Sequence, residues 1–285
     1  MASEYVAAET LDQVFGNLGS EEARLVAGGT DLMVHLRKLK LAGSGLPKVL
    51  VDITGIPELN RYEPAARKPY LGAAVTFHRL ETDSALAEAL PVLAQAAATV
   101  GSAQVRCLAT LGGNVANASP AADGLTALVA LGAKAEIASP SGRRRVNLEE
   151  LVTGPNQTTL GQEELILGFE LEPPAAGAGQ VFVKVGRRRA VVIARMNVAV
   201  CLDRELRDPR VVLGACFPSP RRLREVEEMI ARGSPGAALW QAAGLKAADQ
   251  FLQVCGWRSS APYKVPAVAR VVARTLEMSW RKVGG

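Results

Sequence analysis

Two glycine pairs constrain this chain more than any other feature: Gly28-Gly29 in "RLVAGGTDLMVHL" and Gly112-Gly113 in "ATLGGNVANASPAAD". Each follows a short apolar run and leads into a stretch of helical spacing. Adjacent glycines let the backbone take positive φ and lie close against a neighbour, so each pair marks a tight junction between elements. Around the first, the pattern predicts a helix at 5–18, a strand running into the turn at 23–29, a helix at 30–43 and a buried strand at 48–54. The second helix rests on Leu32, Leu36 and Leu39 at helical spacing.

Beyond residue 68 the pattern predicts a strand and its exit turn at 69–80, then a helix that Asp83 or Ser84 can cap and that Pro91 breaks or kinks. The second glycine segment returns to helical periodicity. Residues 133–148 read as a hairpin turning at Ser139-Pro140-Ser141-Gly142, and "ELILGFELEPP" as a strand ended by two prolines. The Pro/Gly/Ala stretch 173–180 marks a domain boundary. Behind it, three β-rich runs suggest an antiparallel sheet, and helical patterns at 221–232, 236–253 and 263–282 would pack on it. The expectation is an α+β chain: a domain at 1–175, with subdomains about 1–55 and 56–175, and a smaller α+β domain at 176–285.

One glycine pair is weak evidence of a site, because many tight turns hold no ligand. Two, from different units and flanked by Thr30, Thr110, Asn114 and Ser119, offer backbone N–H groups and hydroxyls without side-chain bulk. That is what phosphate needs, and a diphosphate has two phosphates to hold. Neither pair fits GxGxxG or the lysine-bearing P-loop, which excludes the Rossmann and P-loop readings. Asp31 either caps the following helix or contacts the ligand, and Asp123 reads as a ligand contact through a sugar hydroxyl or ring N–H.

Other chemistries find little support. Cys107, Cys201, Cys216 and Cys255 are far apart with no CxxC, and the two histidines, His35 within a helix and His78 at a strand exit, read as structural. Redox chemistry would therefore come from a bound organic cofactor or a partner chain. The net charge of +5 is mild and its basic runs, at 142–145, 186–189 and 220–222, read first as solvated edges, not as a nucleic-acid footprint. No run reaches the length of a membrane span, and the acidic N-terminus lacks the basic start of a signal peptide, so the expected location is the cytoplasm.

"LVAGGTDL", then "TLGGNVANASPAAD", then "FVKVGRRRAVVIARMNVAV" at 182–200 and "SSAPYKVPAVARVVARTL" near the end resemble, in order, the FAD-binding subunit of molybdenum hydroxylases. These are the flavin chains of bacterial xanthine dehydrogenase, carbon monoxide dehydrogenase and related aldehyde dehydrogenases. The resemblance implies a two-subdomain FAD-binding domain, PCMH-like and of the vanillyl-alcohol oxidase type, followed by a smaller C-terminal domain. It implies FAD contacts from Leu25, Val26, Ala27, Gly28, Gly29, Thr30, Asp31 and Leu32, and from Thr110, Gly112, Gly113, Asn114, Ser119, Asp123, Leu167 and Lys184. No catalytic acid or base is implied. Molybdopterin and two [2Fe–2S] clusters would belong to separate iron-sulfur and molybdopterin subunits, and an external acceptor would take the electrons. The chain departs from the family at Tyr263-Lys264, where tyrosine-arginine is usual, and at an extra Pro266; it lacks the cysteine-rich loop of the hydroxybenzoyl-CoA reductase type. A stand-alone FAD oxidoreductase and a non-catalytic FAD-binding scaffold are the alternatives.

Overall fold

The computed structural model describes residues 4–18, 22–188 and 191–284; Arg189 of the second basic run lies outside them. The chain opens with β1 (Glu4–Ala7), α1 (Leu11–Leu18), β2 (Ala23–Val26), α2 (Leu32–Leu41) and β3 (Val49–Asp52). The three strands form a parallel sheet in the order β1-β3-β2. One expectation is corrected here. The helix does not run from residue 5, because Glu4–Ala7 pairs with β3 and the helix starts after Thr10, whose hydroxyl accepts from the Gln13 N–H at 3.3 Å. A ladder partner outweighs the weak helical spacing of 5–10.

The next unit runs through β4 (Tyr62–Glu63), β5 (Tyr70–Gly72), α3 (Phe77–Thr82), α4 (Ser84–Ala89), α5 (Pro91–Ala98), α6 (Ala103–Leu108), α7 (Leu111–Asn117) and α8 (Asp123–Ala130). It closes with β6 (Lys134–Ser139), β7 (Gly142–Asn147), α9 (Leu148–Leu151), the small hairpin β8 (Val152–Gly154) and β9 (Gln157–Thr158), and β10 (Leu165–Glu170). The antiparallel sheet β4-β5-β10-β6-β7 backs the helices. Asp83 caps α4 through the Leu86 N–H at 3.0 Å, and Pro91 ends that helix and opens α5, as its missing donor requires. His78 lies in α3 and not at a strand exit: Thr76 caps a helix there by accepting from the Arg79 N–H. Arg143, Arg144 and Arg145 line the outer strand β7 and pair with Glu136, Glu164 and Glu170, a solvated edge.

The last unit comprises β11 (Gly179–Val185), β12 (Met196–Leu202), β13 (Arg210–Gly214) and β14 (Arg221–Arg222), antiparallel in chain order, and α10 (Arg224–Arg232), α11 (Ala237–Cys255) and α12 (Ala261–Trp280). Every residue of β12 is buried because this sheet is covered on both faces. Met196, Val198, Val200 and Leu202 join the core of the C-terminal helices, whereas Ala199 and Cys201, with Phe182 and Val212, join the core that contains the residues of α5 and α8. Burial pushes the Cys201 thiol up to about 12, which keeps it protonated.

Pro266 does not stop α12. It lies in the second turn and costs one intrahelical bond, the one the Pro262 carbonyl would accept, yet the helix continues to Trp280. The two long helices touch at Gly244, where any Cβ would overlap the carbonyl oxygen of Ala269. Gly244→Ala is expected to destabilise the chain by about 1–3 kcal/mol, because main chain cannot rotate out of the way. A thermal melt checks this, and an unchanged midpoint would refute the close packing.

Candidate cofactor cleft

The first glycine segment leaves β2 at Val26, turns with Gly29 at φ +67°, and enters α2 at Leu32. Val26 is buried, and Leu25, Ala27, Gly28, Gly29, Thr30 and Leu32 are half-buried. Among the described residues, no hydrogen bond takes up the backbone N–H of Gly28, Gly29, Thr30 or Asp31. Four donors thus stand together at a partly open rim. Asp31 occupies the N-cap position but makes no side-chain cap; its Oδ2 accepts from Asn117 Nδ2 at 3.2 Å, across to α7.

The second segment is built differently from its sequence expectation. Gly112 and Gly113 are not an open turn; they lie in the first turn of α7, which Thr110 caps through the Gly113 N–H at 3.1 Å. The Gly112 N–H donates to Ala73 O at 2.8 Å and the Leu111 N–H to Val75 O at 2.9 Å, so these groups are spent inside the fold. Gly112 is needed for packing: a Cβ there would lie 2.5 Å from the Cβ of Ala73. The polar groups left for a ligand are side chains. Asn114 uses its Oδ1 on the Leu125 N–H at 3.2 Å, which leaves its NH2, and Ser119 Oγ accepts from the Ala121 N–H at 3.4 Å, which leaves its O–H.

The two segments meet directly. A Cβ on Gly28 would overlap the carbonyl oxygen of Leu108, two residues before Thr110, so the first turn lies against the main chain that leads into the second segment. With the Asp31–Asn117 bond this makes two junctions between segments about eighty residues apart in sequence. Leu167 sits behind them, buried at an irregularity of β10, with its carbonyl accepting from the Ala73 N–H at 2.9 Å.

Asp123 and Lys184, far apart in the chain, are brought together. Asp123 opens α8, is 4% exposed, and takes Lys184 Nζ at 2.5 Å and Asn197 Nδ2 at 2.8 Å. Lys184 Nζ also donates to Thr99 O at 2.9 Å. Burial pushes the Asp123 carboxyl above the usual carboxylate range, while Lys184, Asn197 and Thr99 pull it back down. Sequence reasoning missed Asn197, Thr99 and Asn117. Asn197 alone left a signal, as an amide inside the apolar run "RMNVAVCL".

The donor set suits a diphosphate with an attached sugar: four successive backbone N–H groups in the first segment, an amide and a hydroxyl in the second, and a lysine whose third N–H has no partner among the described residues. Residues 1–173 match the family model described as "FAD binding domain in molybdopterin dehydrogenase", which is more than half of the chain. The chain belongs to this family. It is 28% identical over 289 residues to the xanthine dehydrogenase FAD-binding subunit of Escherichia coli O157:H7, covering 100% of this chain and 98% of that one. It is 31% identical over 229 residues to the glyceraldehyde dehydrogenase medium chain of Sulfolobus acidocaldarius, covering 79% and 80%. Among solved structures, a chain of carbon monoxide dehydrogenase from Hydrogenophaga pseudoflava superposes with a TM-score of 0.89 at 26% identity, covering 100% and 99%. The α+β architecture, with its FAD-binding part and C-terminal antiparallel sheet and helices, is thus the family's own.

Proposed function

We infer that this chain is the FAD-binding electron-transfer subunit of a multi-subunit molybdenum hydroxylase of the xanthine, aldehyde or carbon monoxide dehydrogenase type. The observation that carries the reading is the meeting of the two glycine segments at Gly28 and Leu108, within a chain of this family. When bound, FAD supplies a carrier that accepts electrons singly and releases them in pairs or singly. The chain's own residues bind and orient it. The N–H groups of Gly28 to Asp31 hold the diphosphate, with the Asn114 amide and the Ser119 hydroxyl beside them. Leu111 and Gly112 contribute by fixing α7 against residues 73–75, Gly113 by taking the Thr110 cap, and Leu167 by accepting from the Ala73 N–H. Hydrogen bonds to charged groups are worth about 1.5–3 kcal/mol each, so four or five anchor a dinucleotide without a phosphate-binding lysine. Lys184 and Asp123 close the cleft on the side of the C-terminal sheet.

The molybdopterin and [2Fe–2S] groups reside in partner subunits, and electrons leave through this chain to an external acceptor. The chain divides functionally into an FAD-binding domain at 1–175 and a C-terminal domain at 176–285. The chain works in the cytoplasm; among the described residues no helix is long and apolar enough to cross a membrane. Purified chain is expected to show a flavin absorption spectrum and close to one FAD per chain, measured by acid release and fluorescence. A colourless chain that cannot be reconstituted with FAD would overturn the reading.

A further inference from the structure

The Asp123–Lys184 pair is held in place by a third residue that the family resemblance did not single out. We propose that Asn197 is a positioning residue for the cofactor, orienting the Asp123 carboxylate, and through it Lys184, where α8 meets the C-terminal sheet. The proposal rests on the FAD reading above and adds to it the residue that sets the geometry of the cleft's far wall.

Asn197 is fully buried on β12, directly after Met196 at the start of an otherwise apolar strand. A polar group in that position is costly unless both ends of its amide are satisfied. Both are: Nδ2 donates to Asp123 Oδ1 at 2.8 Å, and Oδ1 accepts from the Thr126 hydroxyl at 3.0 Å. The acceptor-only carboxylate fixes which way the amide faces, since it can take only the NH2 end, and the Thr126 hydroxyl, shared with Ala122 O at 3.2 Å, meets the other end. The sheet makes room for it. Gly214 lies opposite Asn197 on β13, and any Cβ there would overlap both Asn197 Oδ1 and Thr126 Oγ1.

The arrangement leaves Asp123 with each oxygen assigned, Oδ1 to Asn197 and Oδ2 to Lys184, so the carboxylate cannot rotate. Lys184 in turn spends two N–H groups, on Asp123 and on Thr99 O, and keeps a third for a ligand oxygen. Of the groups facing Asp123 among the described residues, Lys184 from β11 is the charged one; Thr99 at the end of α5 and Asn197 on β12 are neutral. Removing the amide therefore removes one of the few forces that keep this buried carboxylate ionised.

The test is FAD affinity of the full chain, by flavin fluorescence, from about pH 5 to about pH 9, alongside thermal melts. Wild type is expected to lose FAD as Asp123 protonates on the acid side. Asn197→Leu, which has no donor, is expected to bind FAD at least about tenfold more weakly at neutral pH and to lose it at a higher pH than wild type. Asn197→Asp has the opposite sign. Protonated, its carboxyl donates to Asp123 and accepts from Thr126 as the amide does; ionised, it sets two carboxylates against each other, so affinity falls as pH rises. If Asn197→Leu does not fold, the reversed profile of Asn197→Asp still decides. Variants whose FAD profiles run parallel to wild type, differing by a uniform drop that follows the melting temperature, overturn the positioning role. A wild type that binds no FAD at any pH overturns the FAD reading itself.

Discussion

Gly28→Val is expected to raise the FAD dissociation constant on the order of 100-fold, the largest single effect on cofactor retention. A Cβ at this position overlaps the carbonyl oxygen of Leu108, which is main chain and cannot swing away as a side chain can. The first turn must then move off the second segment, and the four N–H groups of Gly28 to Asp31 move with it. Overpacking of this kind costs about 1–3 kcal/mol or more, and every 1.4 kcal/mol is about tenfold in affinity. Titration of apo chain with FAD, with circular dichroism to confirm the fold, measures it. Gly113→Ala is the milder comparison, since its Cβ meets Thr110 Oγ1 at 2.9 Å, a hydroxyl that can turn aside at the cost of its cap. A Gly28→Val chain that keeps full flavin would remove the first segment from the site.

Asp123→Ala is expected to be the most damaging change to stability. It leaves the Lys184 ammonium, whose side chain is 9% exposed, buried without its counter-charge. Removing one partner of a buried pair costs about 3–5 kcal/mol, because the remaining charge keeps its desolvation penalty and loses its compensation. The melting temperature should fall by roughly 10 °C. Adding Lys184→Met to Asp123→Ala should recover much of that loss, since no charge is then stranded. Calorimetry on the two single variants and the double variant checks the claim. A double variant as unstable as the sum of the singles would mean that the two residues act independently.

Much of the fold was legible because it rests on local signals. Asp83 and Pro91 mark a cap and a break that sequence alone predicts, and Ser139 to Gly142 carry their own turn chemistry. The helix expected from residue 5 failed for a non-local reason, since Glu4–Ala7 is a strand only because β3 lies beside it. The second glycine pair failed similarly. "LGG" reads as a turn in isolation, yet the capping hydroxyl of Thr110 and the carbonyl of Ala73 make it the start of a helix. Asp31 had two open readings, capping and ligand contact, and the structure shows a third, a bond across to Asn117.

The sequence by itself determined the class of ligand and the family, because both reside in contiguous segments: two glycine pairs with their flanking Thr, Asn, Ser and Asp residues, each short enough to read without a partner. Only the tertiary structure decided how those segments work. That Gly28 lies on Leu108, that the first segment offers its N–H groups while Leu111 and Gly112 of the second have spent theirs on residues 73–75, and that Asp123 is joined to Lys184 and to Asn197 in one buried cluster are facts about pairs 36 to 80 positions apart. The physical reason is burial. A lone Asp, Lys or Asn in a sequence can always be solvated, and it acquires a fixed partner only when packing removes the water that would otherwise serve.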